Sequence, residues 1–205
     1  MRYAFIWAAC AIVGALGGGV AAVFYLTLQT GVSGWGHQVN VNGWRSDWLI
    51  GTEAADPYTR AWVALYGLFA LRRTEAVYFI KAKDEKGERL TEKCDYRLET
   101  GPLPGKWWSF TVYDRTGYLP KNDDGHLTFD ATNAAASGGS EGPWSTILSS
   151  RQPEKDGESW ISTRNAGSFD VTMRIYQPDP QFLAEPEQHL IGPKISKLSC
   201  QGEAE

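Results

Sequence analysis

Two short stretches alternate so strictly that they leave this chain little choice of fold. In KWWSFTVYD, Trp108, Phe110 and Val112 fall on one side of a two-residue repeat, and Trp107, Ser109, Thr111 and Tyr113 on the other. In SFDVTMRIY, Phe169, Val171, Met173 and Ile175 oppose Ser168, Asp170, Thr172 and Arg174. A period of two with one apolar face marks a half-buried antiparallel strand. EAVYFIKAK and LTEKCDYRLE add two more, separated by the charged turn DEKGER, whose Gly87 suits a hairpin. HLTFD and ESWIST read as shorter strands. After Tyr113, DRTG carries Asp114 and Gly117 at the first and fourth positions of a type I turn.

Short strands with frequent turns predict a mainly β chain, a jelly-roll-like antiparallel β-sandwich. The 22 Gly and nine Trp fit that reading, because turns need the one and pleated faces favour the other. One packed helix is expected from Asp56 to Arg73: Asp56 suits an N-cap, Pro57 the first turn, and Arg72 and Arg73 the C-terminal dipole. Tyr58, Trp62, Leu65 and Phe69 recur at helical spacing along it. The segment 133–143, NAAASGGSEGP, reads as a loop. The proline-rich stretch from Gln177 to Cys200 reads as an extended tail over the surface.

The N-terminus is of another kind. From Tyr3 to Leu28 no residue is charged, a run longer than the ~20 residues that span a bilayer core as a helix. Arg2 precedes it and no Lys or Arg follows until Arg45, which predicts a cytoplasmic N-terminus and a periplasmic bulk, in a single-pass protein of the inner membrane. The competing reading is a cleaved signal peptide, since Gly19 to Ala22 offer small residues to a peptidase. The apolar run continues past that point, which favours an uncleaved anchor. Gly14 and Gly18, like Ala15 and Gly19, have the small-xxx-small spacing of paired membrane helices, so a homo-oligomer is one expectation. Ordinary Gly and Ala content of a membrane helix is the other. Three units follow: an anchor over 1–29, a Gly/Asn/Trp-rich connector over 30–55 and an external domain over 56–205. Trp35, Trp44 and Trp48 argue that parts of the connector dock.

Cys94 and Cys200 are the two cysteines of the external part, in what the topology makes an oxidising compartment. One disulfide between them is expected, two free thiols being the alternative; the spacing matches no zinc motif. With 20 Lys+Arg against 24 Asp+Glu and no basic stripe, nucleic acid is not an expected partner.

The order NGW, DPYTRAWVALYGLFALRRTEAVYF, PLPGKWWSFTVYDRTGYLPKN, FDVTMRIYQPDP and a late Cys resembles the domain of unknown function 1214 family, from about Asn42 to Cys200. The resemblance implies an all-β, jelly-roll-like fold and no activity. It also implies company, because members often sit beside or fused to a second uncharacterised domain of the 1254 family. The chain departs from the family pattern after Leu119, where Lys121-Asn122-Asp123-Asp124-Gly125-His126 stands in place of an Asn and an aromatic-Ser segment.

Catalytic chemistry finds little purchase. His37, His126 and His189 are not at metal-ligand spacing, and no nucleophile elbow, zincin motif or phosphate loop occurs, so no cofactor or metal is expected. NDDGH matches only a fragment of a calcium loop. Asp114, Asp123 and Asp124 supply carboxylates, but Asp114 has a simpler task in its turn. Binding is the stronger expectation. Trp107 and Tyr113 share one face of a strand that is also aromatic on its other face, and Arg115 and Arg174 would frame a site there. The expected role is a non-enzymatic envelope component that binds a protein partner, such as a companion of the 1254 family. A module for small molecules or glycans comes next, and a hydrolase third.

Overall fold

The computed structural model describes residues 2–28, 38–55, 57–65, 71–136, 142–153 and 158–202. Two sheets face each other. The larger has six strands in the order β1 (Gln38–Val41), β2 (Trp44–Asp47), β3 (Ala76–Lys81), β9 (Phe169–Pro178), β5 (Gly105–Asp114) and β6 (Thr128–Asp130). The smaller has four: β10 (Lys194–Cys200), β4 (Cys94–Thr100), β7 (Trp144–Ser149) and β8 (Trp160–Ser162). This is a β-sandwich, antiparallel except that β7 and β8 run parallel, which corrects the all-antiparallel expectation.

The alternating strands β5 and β9 pair along their length at the centre of the larger sheet. Their inward side chains Trp108, Phe110, Val112, Phe169, Val171, Met173 and Ile175 are buried and meet Tyr96, Leu98, Leu148 and Trp144 of the smaller sheet in one core. Trp108 and Trp144 stack with centroids 4.4 Å apart. Pro104 and Gly105 admit the chain to this crowded centre: a Cβ on Gly105 would lie 2.5 Å from Ile175 Cγ2.

Several expectations are corrected. Part of the connector is sheet: β1 and β2 form a hairpin across Asn42 and Gly43, both at positive φ, and bury Trp44 and Trp48. Trp44 and Trp48 thus dock as expected, while Trp35 and His37 lie outside the described residues. DEKGER does turn, with Gly87 at φ 81, but the chain then crosses to the other sheet, so β4 does not return beside β3. The helix expected to reach Arg73 is described as α2 (Pro57–Leu65); by Arg72 and Arg73 the chain is in a turn, with Arg73 donating to the Trp48 carbonyl. The expected cap Asp56, Phe69 and the side chains of Tyr58, Trp62 and Leu65 lie outside the described residues. Asn133 to Ala136 belong to a short helix, α3 (Ala131–Ala136), rather than a loop. The tail is integral to the fold: α4 (Pro180–Ala184) buries Phe182, α5 (Pro186–His189) follows, and β10 buries Ile195 at the sheet edge.

The Cys94–Cys200 disulfide is present, joining directly opposed residues of β4 and β10. Closing a loop with sequence separation 106 removes unfolded-state entropy worth roughly 4–5 kcal/mol in the chain-entropy model. The N-terminal run forms a 27-residue helix, α1 (Arg2–Leu28), whose described side chains are exposed. Those of Val23 to Leu28 are not among the described side chains. Among the described residues, no helix is long and apolar enough to cross a membrane.

Candidate binding face

The outward face of the larger sheet differs from its sealed inward face. Alternation along β5 presents Trp107, Ser109, Thr111 and Tyr113, and along β9 Asp170, Thr172, Arg174 and Tyr176. Tyr78 of β3 lies opposite Arg174. Trp107 and Tyr176 are ladder partners with ring centroids 5.3 Å apart, and the Trp107 indole N–H donates to Thr132 Oγ1 at 3.3 Å. Trp107 remains 37% exposed.

Arg174 reaches along the face. It donates to Thr111 Oγ1 at 3.0 Å and to the Tyr113 hydroxyl at 2.5 Å, with its guanidinium 5.5 Å from the centre of the Tyr113 ring. The expected site residues therefore fall into two neighbouring groups. Tyr113 and Arg174 touch. Trp107 lies at the other end of β5, about 20 Å from Tyr113 at ~3.4 Å per residue, and its companion is Tyr176 instead. Sequence reasoning missed Tyr176 and Tyr78. Tyr176 had a signal, since it shares parity with Arg174 in MRIY.

Arg115 is exposed on the turn beyond Tyr113 and acts through space on Asp170. Burial pushes the Asp170 carboxyl up from its ordinary range, against the pull of Arg89, whose Nη2 lies 2.8 Å from Oδ1. That contact is an ion pair whose geometry leaves Oδ1 without a well-aligned hydrogen bond. Burial likewise raises the Tyr78 hydroxyl, with Tyr176 adding to the effect and Arg174 opposing it.

Asp114 serves the turn as expected. Its Oδ1 accepts from the Thr116 amide at 2.8 Å, the Thr116 hydroxyl at 2.6 Å and the Tyr118 amide at 3.1 Å. Burial opposes ionisation there, but these bonds outweigh it and hold the carboxyl below its usual value. A carboxylate so occupied is poorly placed to act as an acid or base.

The segment that departs from the family pattern forms a clamp. Asp124 accepts from Ser162 Oγ at 2.5 Å and pairs with Arg164, while the Ser162 amide donates to the His126 carbonyl at 2.6 Å. The His126 ring stacks on Trp160, centroids 5.1 Å apart. Among the described residues no three His, Cys, Asp or Glu side chains are grouped to hold a metal ion. A Cβ on Gly14 or Gly18 would meet nothing within 4 Å, so that helix face is open in the single chain.

The fold and this face define a two-sheet β-sandwich domain. The chain belongs to the DUF1214 family, described as proteins of unknown function, whose pattern matches residues 75–180. No curated protein matches it. Among solved structures, the VPA0106 protein from Vibrio parahaemolyticus is similar at 21% identity and a TM-score of 0.56, over 71% of this chain and 36% of that one. A putative uncharacterized protein from Burkholderia cenocepacia is similar at 8% identity and a TM-score of 0.42, over 60% of this chain and 30% of that one. The first likeness speaks for the fold. This chain matches little more than a third of the Vibrio protein's length.

Proposed function

We propose that this chain is a membrane-anchored envelope component, non-enzymatic, whose external sandwich binds a protein partner through the outward face of the larger sheet. The observation that carries the reading is the Trp107–Tyr176 pair, left partly open beside Arg174 and Tyr113 on a face with no second sheet among the described residues. Large aromatics and Arg are the side chains that dominate protein interfaces. The family resemblance, in which members often sit beside or fused to a second domain of the 1254 family, is the reason to name a companion of that family as the partner.

The anchor reading rests on the uncharged run from Tyr3 to Leu28 in the sequence. The disulfide supports a periplasmic bulk with the N-terminus in the cytoplasm. Pairing of two α1 helices through Gly14 and Gly18 would give a homo-oligomer. A glycan-binding module is the second reading, favoured by the open Trp107 ring.

The test is a pull-down of the full-length, detergent-solubilised protein from its native membrane beside a Trp107→Ala, Tyr176→Ala version. A stoichiometric companion that the double variant loses is the expected result. The same companion on both versions, or none on either, would overturn the reading. A phosphatase fusion at the C-terminus should be active if the bulk is periplasmic and silent if it is not.

A further inference from the structure

Arg174 is half-buried, yet the hydrogen-bond partners it has among the described residues are the two neutral hydroxyls of Thr111 and Tyr113. A guanidinium is always charged and offers five donors, so this one keeps charge and donors to spare. Arg45 and Arg115 likewise have no carboxylate within ion-pair distance among the described residues. The register gathers these groups on one face. Arg45 lies opposite Ile80, Ile80 opposite Thr172, and Tyr113, two residues before Arg115, opposite Asp170. Asp170 lies within this cluster, and Arg89 already occupies it. Asp130, opposite Ser109, and Asp47, two residues beyond Arg45, share the face, but each accepts from backbone amides of its own turn, so four guanidinium groups stand there with three acids, none of them bonded to Arg174.

We propose that Arg174, Arg45 and Arg115 form an anion-binding cluster on this face, and that its occupant is a carboxylate-rich segment of a protein partner. The inference rests on the partner-binding reading above and names the chemistry of that partner. Spacing selects the occupant. Arg45 on β2 and Arg174 on β9 are separated by β3, about 10 Å at ~4.8 Å per strand, too far for one small anion to touch both. Several carboxylates along an extended chain reach them in turn. A flat bilayer surface would meet exposed Arg45 and Arg115 but not half-buried Arg174, which a single side chain can approach.

The test is a titration of a fluorescent octa-glutamate peptide into the full-length, detergent-solubilised protein. Inorganic phosphate and phosphatidylglycerol vesicles are the competing probes. Saturable peptide binding that weakens steeply with salt is expected. Arg174→Gln should weaken it about tenfold, the scale of a charge-assisted hydrogen bond. Arg174→Lys, which keeps the charge and loses the fork, should fall between; both variants should melt a few degrees below the parent and be fully folded at the titration temperature. Arg45→Gln and Arg115→Gln should each cost about twofold, as exposed charges do. Peptide binding unchanged in Arg174→Gln overturns the proposal, as does binding of phosphate or vesicles without binding of the peptide. A companion lost with Trp107 and Tyr176 but retained by Arg174→Gln would leave the partner reading standing and remove the cluster. Peptide binding that depends on Arg174, with no companion from the membrane, would do the reverse.

Discussion

Two tryptophans face outward from this sandwich, one from each sheet, and the chain treats them differently. Trp160 of β8 points away from the core-facing Ile161, yet it is 8% exposed, because His126 lies over it and the Asp124 clamp holds that segment in place. Trp107 of β5 has its neighbour Tyr176 and remains 37% exposed. The fold can cover an outward indole when it spends a loop on the task. It spends one on the smaller sheet; on the larger, Ser109, Thr111 and Thr172 are buried but the ring of Trp107, at the start of β5, stays open. That asymmetry is the reason to look for a partner at Trp107 and not at Trp160.

The comparison can be broken most sharply at Trp160. Trp160→Ala should destabilise the domain by about 3–5 kcal/mol, as for a buried aromatic, in equilibrium denaturant unfolding. A loss below 1 kcal/mol would show that the loop over Trp160 contributes no burial worth the name. Asp124→Ala should cost about 1–3 kcal/mol, because it leaves the O–H of fully buried Ser162 without its acceptor, the hydroxyl keeping only the Arg164 amide as a donor, and removes the Arg164 ion pair. Hydrogen exchange should quicken over residues 121–126 and not over β5. His126→Ala removes only the stacked ring and should cost about 0.5–1.5 kcal/mol. Trp107→Ala should cost under ~1 kcal/mol in the isolated protein while abolishing partner capture. Equal losses for Trp107→Ala and Trp160→Ala would erase the distinction between the two faces.

The smallest effect concerns how the smaller sheet protects its edge. Glu85 covers β10 there, its carboxylate accepting from the Ile195 amide at 3.2 Å and from Lys81 Nζ at 2.6 Å. Burial opposes ionisation of Glu85, but the Lys81 and Ile195 hydrogen bonds outweigh it and lower the carboxyl. With the folded pKa below the unfolded ~4.3, its contribution is present above that pH and fades as the pH falls through the lowered value. Glu85→Gln should flatten the acid limb of a melting-temperature profile. A steeper limb would reverse the assignment.

How much of this was legible follows from whether polar and apolar residues alternate along the strand. β5 and β9 alternate in residue type even where both of their faces are buried, since Ser109, Thr111 and Thr172 oppose the apolar row, so their strands, their polarity and the Asp114 turn are readable directly. β7 is not, because Thr146, Ile147, Leu148 and Ser149 are all buried and no period survives. The β1–β2 hairpin had a strong signal in Asn42-Gly43, flanked by QVNV and WRSD, but it sits in a Gly-rich run that reads as linker. The crossing from β3 to β4 lies beyond a local reading, since a tight turn at Gly87 looks the same whether or not the strands stay together. In the candidate site, Trp107, Tyr113 and Arg174 were readable by parity. The Trp107–Tyr176 and Arg45–Ile80–Thr172 neighbourhoods depend on register, which alternation alone does not supply.

The most direct test of the central claim compares the two outward faces in living cells. A photo-crosslinking amino acid would replace Trp107 on the larger sheet in one strain and Arg97, exposed on β4 of the smaller sheet, in another. The account predicts a discrete, stoichiometric cross-linked product from position 107 and none from 97. A product from 97 with none from 107 would contradict it.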